Sequence, residues 1–582
     1  MSINKSMIPI KLSFFFFYGC IGPIYIFLPT ITKQLGYTMS TYGTIMTCAT
    51  LLGMIASPIF GQIVDKYPVR KKIFFTAMII GGACCLSIMF IPGFPLDTNS
   101  ELVCGNETYL NVISQTYQQS VCDDKKLFNP MNSGIINCEL RCQRIPFTIE
   151  PLKKEAECEN CFNNLMMNES SSHLIKSIQD NYPFKISINV NFTEHIQYIY
   201  VFRVLSAQLN DTQILKLNCV NYVKSSCHLN CSNDLLMDLA STPAITGSVT
   251  QYNQFWIFFI VLVMMSISFN ITDNLQTSLC LDLLGQNHHY FGKNKCWTSI
   301  GWGVFSIIGG WLVDNFSPNP RHKNYSPIFL SSIMLTIFYL IVALKIKIVE
   351  TTGKKNNVDG QFVSVRLFRK CYVLIFFTWI FVMQFFHSII AHFLFWYLDD
   401  LADNYECSKR EWMKTVQGLA QGIQCFGGEL PFYFWSGWII QKLGYLNCMA
   451  LSLGVLSIRM FLYSTLTNPT WVILIEITNG ISYALAVAAK MSYAKLICSP
   501  DQLNSTIGFV GFFIIGADSL GSFVGGHFYE AYGGVKMFKY CSYLVGILCI
   551  LQILCNYFGL SKEFKEKNVS TSIQENKLDS KL

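Results

Sequence analysis

Charge is what this sequence has least of. Only 14% of its 582 residues are Asp, Glu, Lys or Arg, against 51% hydrophobic. A soluble domain carries roughly 25% charged residues, so this chain has too few to coat a surface in water. Its apolar runs do not alternate with polar residues, which excludes a transmembrane β-barrel. It has no Gly-x-x-x-x-Gly-Lys-(Ser/Thr) phosphate loop, so ATP is not the expected energy source. The apolar runs contain no catalytic triad and no metal-ligand cluster. No enzymatic activity, metal or cofactor is therefore expected. No small-residue cleavage site follows the first apolar run, which reads as a retained helix rather than a signal peptide.

What is abundant is apolar runs of about 20 residues, the length at which a helix crosses a hydrocarbon core of roughly 30 Å. Backbone groups in lipid must satisfy one another, so the runs are read as helices. We count about twelve, near residues 11–32, 43–64, 73–92, 254–280, 297–314, 326–345, 371–397, 412–438, 446–465, 470–495, 505–529 and 536–557. The expected class is an all-α polytopic membrane protein whose first partner is the lipid bilayer. Lys and Arg of short loops stay in the cytoplasm. With both termini inside, the inner segments are 66–72, 285–296, 345–370 and the tail 558–582, which hold most of the short-loop cations. The outer loop "YLDDLADNYEC" (397–407) is acidic. Topology thus accounts for the net charge of +7, and no nucleic-acid partner is needed.

Residues 93–253 break the pattern with a polar stretch of about 160 residues, placed outside by the same count. It carries the glycosylation sequons of Asn106, Asn168, Asn191, Asn210 and Asn230. It also holds nine cysteines: Cys104, Cys122, Cys138, Cys142, Cys158, Cys161, Cys219, Cys227 and Cys231. Cys407, in the acidic outer loop, is the candidate tenth. The closely spaced pairs could bind zinc. In an oxidising compartment disulfides are favoured, and this cysteine density argues for a folded, stapled ectodomain. The organisation read from the chain is 1–92 (helices 1–3), 93–253 (outward loop), 254–345 (helices 4–6), 346–370 (cytoplasmic central loop), 371–557 (second bundle) and 558–582 (cytoplasmic tail).

Two short segments recur. "GQIVDK" (61–66) echoes "GWIIQK" (437–442), and "GGWLVDNF" (309–316) echoes "GGHFYEAY" (525–532). Each pair lies six helices apart, as a duplicated six-helix bundle requires. The two offsets differ by about the length of the inserted loop.

The hinge after the second run carries Gly61, Asp65, Lys66, Arg70, Lys71 and Lys72. It resembles the Gly-x-x-x-Asp-(Arg/Lys)-x-Gly-(Arg/Lys)-(Arg/Lys) hallmark of the major facilitator superfamily, with Pro68 at the usual Gly and one extra residue before the basic cluster. "KCWTSIGWGVFSIIGGWLVD", "GGELPFYFWSG", "EITNGISYALAVAAKMSYA" and "GSFVGGHFYEAYGG" resemble the branch containing major facilitator superfamily domain-containing protein 6. Trp297, Glu429 with Pro431, and Glu476 with Gly480 match that branch, while Asn479 stands where His is usual. The resemblance implies two six-helix bundles and a cytoplasmic gate. In that gate Asp65 meets a helix start in the other half, and a helix N-terminus stabilises a carboxylate. The neighbouring cations would anchor the hinge to lipid headgroups.

Ionisable residues within spans are costly, so each is a functional candidate. The ordered carboxylates are Glu429, Glu476, Asp518 and Asp273, with His387 and Asn479 beside them. A carboxyl group shielded from water can load a proton on one side and release it on the other. Each can instead be the structural partner of a cation such as Arg459. Glu476, Asn479, Tyr483 and Lys490 fall on one helical stripe, with Lys490 near the cytoplasmic end, where it can snorkel. The expected function is secondary transport of a small polar solute, such as a sugar or nucleoside, coupled to protons. The alternative is a receptor or adhesion protein whose 93–253 ectodomain binds an extracellular ligand. Plasma or endosomal membrane is the expected location.

Overall fold

The computed structural model describes residues 7–67, 69–94, 96–98, 100–104, 107–113, 134–142, 183–196, 199–209, 212–214, 223–233, 236–237, 240–243, 248–284, 291–317, 322–346, 371–404, 411–497 and 503–560. Contacts divide the chain into two units. One is Met1–Gly93 with Tyr252–Ala402 and Ser408–Leu582; the other is Phe94–Gln251 with Asp403–Cys407.

The first unit is helical: α1 (Ile8–Gln34), α2 (Met39–Lys66), α3 (Arg70–Ile88), α4 (Asn253–Leu284), α5 (Phe291–Asn315), α6 (Ser326–Ala343) and α7 (Cys371–Asn404). α8 runs through Met413–Ile423, a π-helical turn at Gln424–Glu429, and Leu430–Leu443. α9 is Tyr445–Ser464. α10 joins Val472–Glu476, a second π turn at Gly480–Leu485, and Ala486–Ile497. α11 covers Leu503–Cys555 and is broken at Gly533, whose φ of +77° is strained for any residue with a Cβ. Among the described residues nine helices are long and apolar enough to cross a membrane. A tenth is counted if the bent pair Pro469–Glu476 and Gly480–Ala494 forms one span. α1 is the most enclosed of them, with 78% of its apolar window buried, so it lies inside the bundle rather than against lipid.

Two seams bring distant parts of the chain together, α2 on α11 and α5 on α8. Both are closest at the end where α1 turns into α2, and the echoed Gly-Gly segments make both. A Cβ on Gly526 would lie 2.6 Å from the carbonyl oxygen of Met39, and one on Gly310 would strike that of Lys414. Four residues past each of these glycines comes a carboxylate. Asp314 Oδ2 accepts from Thr415 N–H (2.6 Å) and from its hydroxyl (2.8 Å) at the start of α8. Glu530 Oε2 accepts from Ser40 N–H (3.0 Å) at the start of α2. Each acid satisfies a backbone donor that a helix start leaves unpaired. Ion pairs close the same end: Lys33–Asp400 (2.6 Å), Lys414–Asp399 (2.6 Å) and the buried Lys323–Asp314 (2.7 Å).

At the opposite end, Gly61, Asp65 and Lys66 belong to the last turns of α2, with side chains outside the described set. Arg70 departs from the headgroup-anchor expectation. It is 6% exposed and pairs with Asp282 (2.7 Å) and Ser278 (2.8 Å) of α4, because it opens α3 on the side packed against α4. Lys71 and Lys72 are exposed.

The second unit corrects the all-α expectation. Its described residues form β1 (Leu96–Thr98), β2 (Ser100–Cys104), β3 (Thr108–Ile113), β4 (Ile135–Cys142), β5 (Phe184–Ile196), β6 (Ile199–Leu209), β7 (Thr212–Ile214), β8 (Val223–Cys231) and β9 (Ser241–Pro243). β1 and β9 make a two-stranded ribbon; the rest form an antiparallel sheet in the order β3-β2-β8-β4-β5-β6-β7. β3 also pairs with β6, with Tyr109 opposite Arg203, so six strands close on themselves. Closure removes the unpaired edges a sheet otherwise exposes. The period of two points Cys138, Leu140 and Cys142 inward, beside Leu102, Ile186, Phe202 and Leu229. The sequence reading missed these strands because long spans dominate the composition.

Cys138 and Cys142 sit directly opposite Cys231 and Cys227 and are bonded to them. Cys104 is disulfide-bonded too. Cys122, Cys158, Cys161, Cys219 and Cys407 lie outside the described residues, as do Asn106, Asn168 and Asn210. Asn191 lies on β5 with its side chain outside that set. Asn230 is on the exposed face of β8.

Two outcomes follow. Non-reducing peptide mapping should recover Cys138–Cys231 and Cys142–Cys227, and the paired Cys142→Ser/Cys227→Ser change should cost the β unit about 2–5 kcal/mol, read by protease resistance. Gly526→Val should lower the melting temperature in detergent, with an overpacking cost of about 1–3 kcal/mol; an unchanged melt would show that α2 and α11 do not approach this closely.

Candidate functional site

The π turns of α8 and α10 meet. A π turn inserts one extra residue into a helix and often marks a working site. A Cβ on Gly480 would lie 2.6 Å from the carbonyl oxygen of Gly428 and would strike the Phe432 ring, so only glycine permits this approach. The contact sets Glu429 beside Asn479, whose Nδ2 donates to Glu429 Oε1 at 3.3 Å. From α5, Ser299 Oγ donates to Glu429 Oε2 at 2.8 Å. Glu429 is 8% exposed and has no ion-pair partner among the described residues. It is a shielded carboxyl held by neutral donors from two other helices.

Behind it lies Arg459 on α9, fully enclosed. Its Nη2 meets Glu476 Oε2 at 2.5 Å, its Nη1 meets Asn479 Oδ1 at 2.5 Å, and its Nε donates to Tyr463 Oη at 2.7 Å. The Tyr463 hydroxyl in turn donates to Glu476 Oε1 at 2.5 Å. Glu476 is therefore the counter-charge of Arg459, the structural role open to each carboxylate from sequence. Asn479 is the bridge, touching both Arg459 and Glu429.

The remaining candidates form separate groups. Asp518 on α11 faces His392 Nε2 at 3.7 Å and Gln384 at 3.4 Å, both from α7, and His392 Nδ1 lies 3.2 Å from the Tyr42 hydroxyl of α2. Asp273 on α4 accepts from Lys295 Nζ (3.0 Å) and from the Tyr18 hydroxyl (3.0 Å). His387 touches neither acid; its ring stacks on Tyr483 at 4.4 Å. The structure thus brings Glu429, Glu476 and Asn479 together, with His387 hydrogen-bonded to Asn479 at their edge, and leaves Asp518 and Asp273 apart from them.

Sequence reasoning missed Lys295 and Ser299. It began the fifth span at 297, whereas α5 starts at Phe291, so Lys295 was counted as loop. The missed signal was the Asp273 and Thr277 stripe, which one helical turn more of α5 supplies with a cation. The predicted stripe on α10 is also split. Glu476, Asn479 and Ser482 turn to Arg459, while Tyr483 and Lys490 line a cavity with α7. The π turn between them rotates the second half of the helix. Among the described residues no group of three or more metal-binding side chains exists.

The sequence model of the MFS_1 like family matches residues 7–540. The chain is 23% identical over 265 residues to major facilitator superfamily domain-containing protein 6-like protein B of Xenopus laevis, a match covering 43% of this chain and 40% of that protein. Its fold is similar to that of the nucleoside transporter NupG, with a TM-score of 0.57, 10% identity, and coverage of 95% of this chain and 99% of NupG. It is also similar to a POT family transporter crystallised with a thioalcohol-conjugated peptide, with a TM-score of 0.53, 9% identity, and coverage of 95% and 96%. With the family model spanning nearly the whole chain, this integral multi-pass membrane protein belongs to the MFS_1 like family of major facilitator superfamily transporters.

Proposed function

We propose that the protein is a secondary active transporter of a small polar solute, driven by protons and working by alternating access. A count of twelve spans is part of this reading. Ten follow from length and apolarity, the break at Gly533 divides α11 into two, and the interrupted α8 is the twelfth. The echoed segments and their matching carboxylate contacts support two bundles that move against each other, across the α2–α11 and α5–α8 seams. NupG carries the name of a nucleoside transporter; a nucleoside or sugar is accordingly within the substrate class tested first. The positive-inside count supports cytoplasmic termini and an outward β unit, the sequons within 93–253 fit its glycosylation, and the plasma or an endosomal membrane is the proposed location.

One observation carries the proton coupling. Asp273, Asp518 and Glu476 each face a basic side chain, whereas Glu429 is hydrogen-bonded by the neutral side chains of Ser299, Gln424 and Asn479. Glu429 can therefore take up a proton without breaking an ion pair. Its Ser299 contact crosses the α5–α8 seam, so rocking of the bundles changes the donors around the carboxyl. Protonation and conformation are linked through that one hydrogen bond.

The β unit favours a second reading, ligand presentation on a transporter scaffold. It is a closed, disulfide-stapled sheet, a form suited to recognition. The two readings separate by experiment, because changes at Glu429 leave binding to the β unit intact.

In proteoliposomes given an inward proton gradient and a panel of sugars and nucleosides, the wild type should accumulate at least one solute. Glu429→Gln should remove the dependence on the gradient while sparing exchange of labelled for unlabelled solute. Gradient-dependent uptake surviving in that variant would overturn the assignment of Glu429. Arg459→Met should destabilise the folded protein by about 3–5 kcal/mol, as removing one partner of a buried pair does. The double change Arg459→Met/Glu476→Leu should recover part of that loss, read as melting temperature in detergent.

A further inference from the structure

The seam of α2 on α11 holds a titratable group that the Glu429 reading leaves unused. His392 of α7 is buried and stands between two other helices. Its Nδ1 lies 3.2 Å from the Tyr42 hydroxyl of α2, and its Nε2 lies 3.7 Å from Asp518 Oδ2 of α11. Tyr42 is 1% exposed, and His392 is the one hydrogen-bond partner of its hydroxyl among the described residues. Asp518 is held to α7 by Gln384 and, at its backbone carbonyl, by Ser388. Its side chain is 26% exposed, so a proton can reach the pair from that side. Further along the same seam the bonds run between hydroxyls, Thr47 with Ser522 (3.0 Å) and Thr50 with Ser519 (2.6 Å). Hydroxyls of Ser and Thr do not titrate, whereas an imidazole changes charge near neutral pH.

The direction of the Tyr42 bond depends on that charge. A neutral imidazole carries one N–H and one bare nitrogen. With its proton on Nε2 it donates toward Asp518 and accepts from Tyr42, so all three groups are satisfied. An imidazolium donates from both nitrogens. Its attraction to Asp518 grows, but Nδ1 no longer accepts, and the Tyr42 hydroxyl proton is left without an acceptor where water does not reach. An orphaned buried donor is costly. We propose that His392 is a second proton-binding group, and that a proton taken up on its Nδ1 releases α2 from α7 and α11. The placement repeats that of Glu429. Each seam holds one proton acceptor bonded to a hydroxyl on the far side, Ser299 across α5–α8 and Tyr42 across α2–α11. Asp518 is the charged group that faces His392, and Tyr25 of α1 and Tyr483 of α10 lie within electrostatic reach of Asp518. Tyrosines are neutral at these pH values. His387, the other histidine near Asp518, stacks on Tyr483 and bonds Asn479, so a proton there acts on α10 and not on α2. The closed seam is thus favoured when His392 is neutral and weakens as the pH falls. The inference rests on the transport reading only for the cycle that such a release would serve.

Hydrogen–deuterium exchange of the purified full-length protein in detergent micelles tests this. The readout is the start of α2, whose Ser40 amide bonds Glu530 across the seam. Exchange is compared at about pH 7.5 and about pH 5.5, on either side of the usual histidine range, after correction for the intrinsic effect of pH. In the wild type, protection of this segment should fall by roughly tenfold at the lower pH, as loss of a buried hydroxyl's acceptor implies. His392→Gln keeps an acceptor for Tyr42 and a donor for Asp518 but does not titrate, so it should hold the protection at both pH values. Tyr42→Phe has no hydroxyl to orphan. It should be weakly protected and indifferent to pH, which decides the matter even if the His392 change fails to fold. Glu429→Gln should leave the response of α2 intact. Equal wild-type protection at the two pH values would overturn the proposal, and so would a response that persists in His392→Gln or in Tyr42→Phe. The response without solute uptake in proteoliposomes would sustain the role of His392 and sink the transport reading; uptake without the response would do the reverse.

Discussion

A guanidinium cut off from water must find every one of its hydrogen bonds inside the protein. Arg459 is 1% exposed, and it draws Glu476, Asn479 and Tyr463 around itself. The desolvation of such a charge costs several kcal/mol, and only a complete set of partners offsets it. Those partners hold α9 against α10. Asn479, fixed by Arg459 through its carbonyl oxygen, has its amide free to reach Glu429 on α8, and Glu429 takes a further bond from Ser299 on α5. A single buried cation on α9 thus sets, through Asn479 on α10, the position of a carboxyl on α8, and the glycine contact at Gly480 lets α8 and α10 come close enough for the bonds to form.

Interrupting a helix serves the same end. An unbroken α10 would carry Glu476, Asn479, Tyr483 and Lys490 on one stripe and give them one environment. The π turn assigns the first two to the Arg459 network and the last two to a cavity. On α8 the corresponding turn ends at Glu429 itself. Both interruptions sacrifice regular backbone bonding at one point, which is tolerated in a membrane only where neighbouring protein groups surround the irregular turn.

Much of this was readable from the chain. Long apolar runs located the spans, and the polar stretch after residue 93 located the second unit. The short echoes led to two of the close helix contacts, since Gly310 and Gly526 belong to them. The ionisable candidates were few, because lipid removes most alternatives. Three things were not readable. Strands in the second unit were hidden because short alternating runs are weak beside long hydrophobic ones. The π turns leave no composition signal, so the division of the α10 stripe could not be foreseen. The pairing of Glu476 with Arg459 depends on the distance between two helices that sequence does not give, and so sequence could rank Glu429 and Glu476 but not separate their roles.

The capped helix starts at the α1–α2 end have a kinetic meaning. Separating α2 from α11 and α5 from α8 there breaks the bonds of Glu530 and Asp314 together with the ion pairs of Lys33 and Lys414. Each charged hydrogen bond contributes about 1.5–3 kcal/mol, and water recovers it only after the parts have moved. The loss comes before the gain, so it raises the barrier to parting the helices by more than it shifts the balance between the parted and closed arrangements. In the proposed transport cycle this end would therefore open as one unit, since its helix caps and ion pairs are lost together.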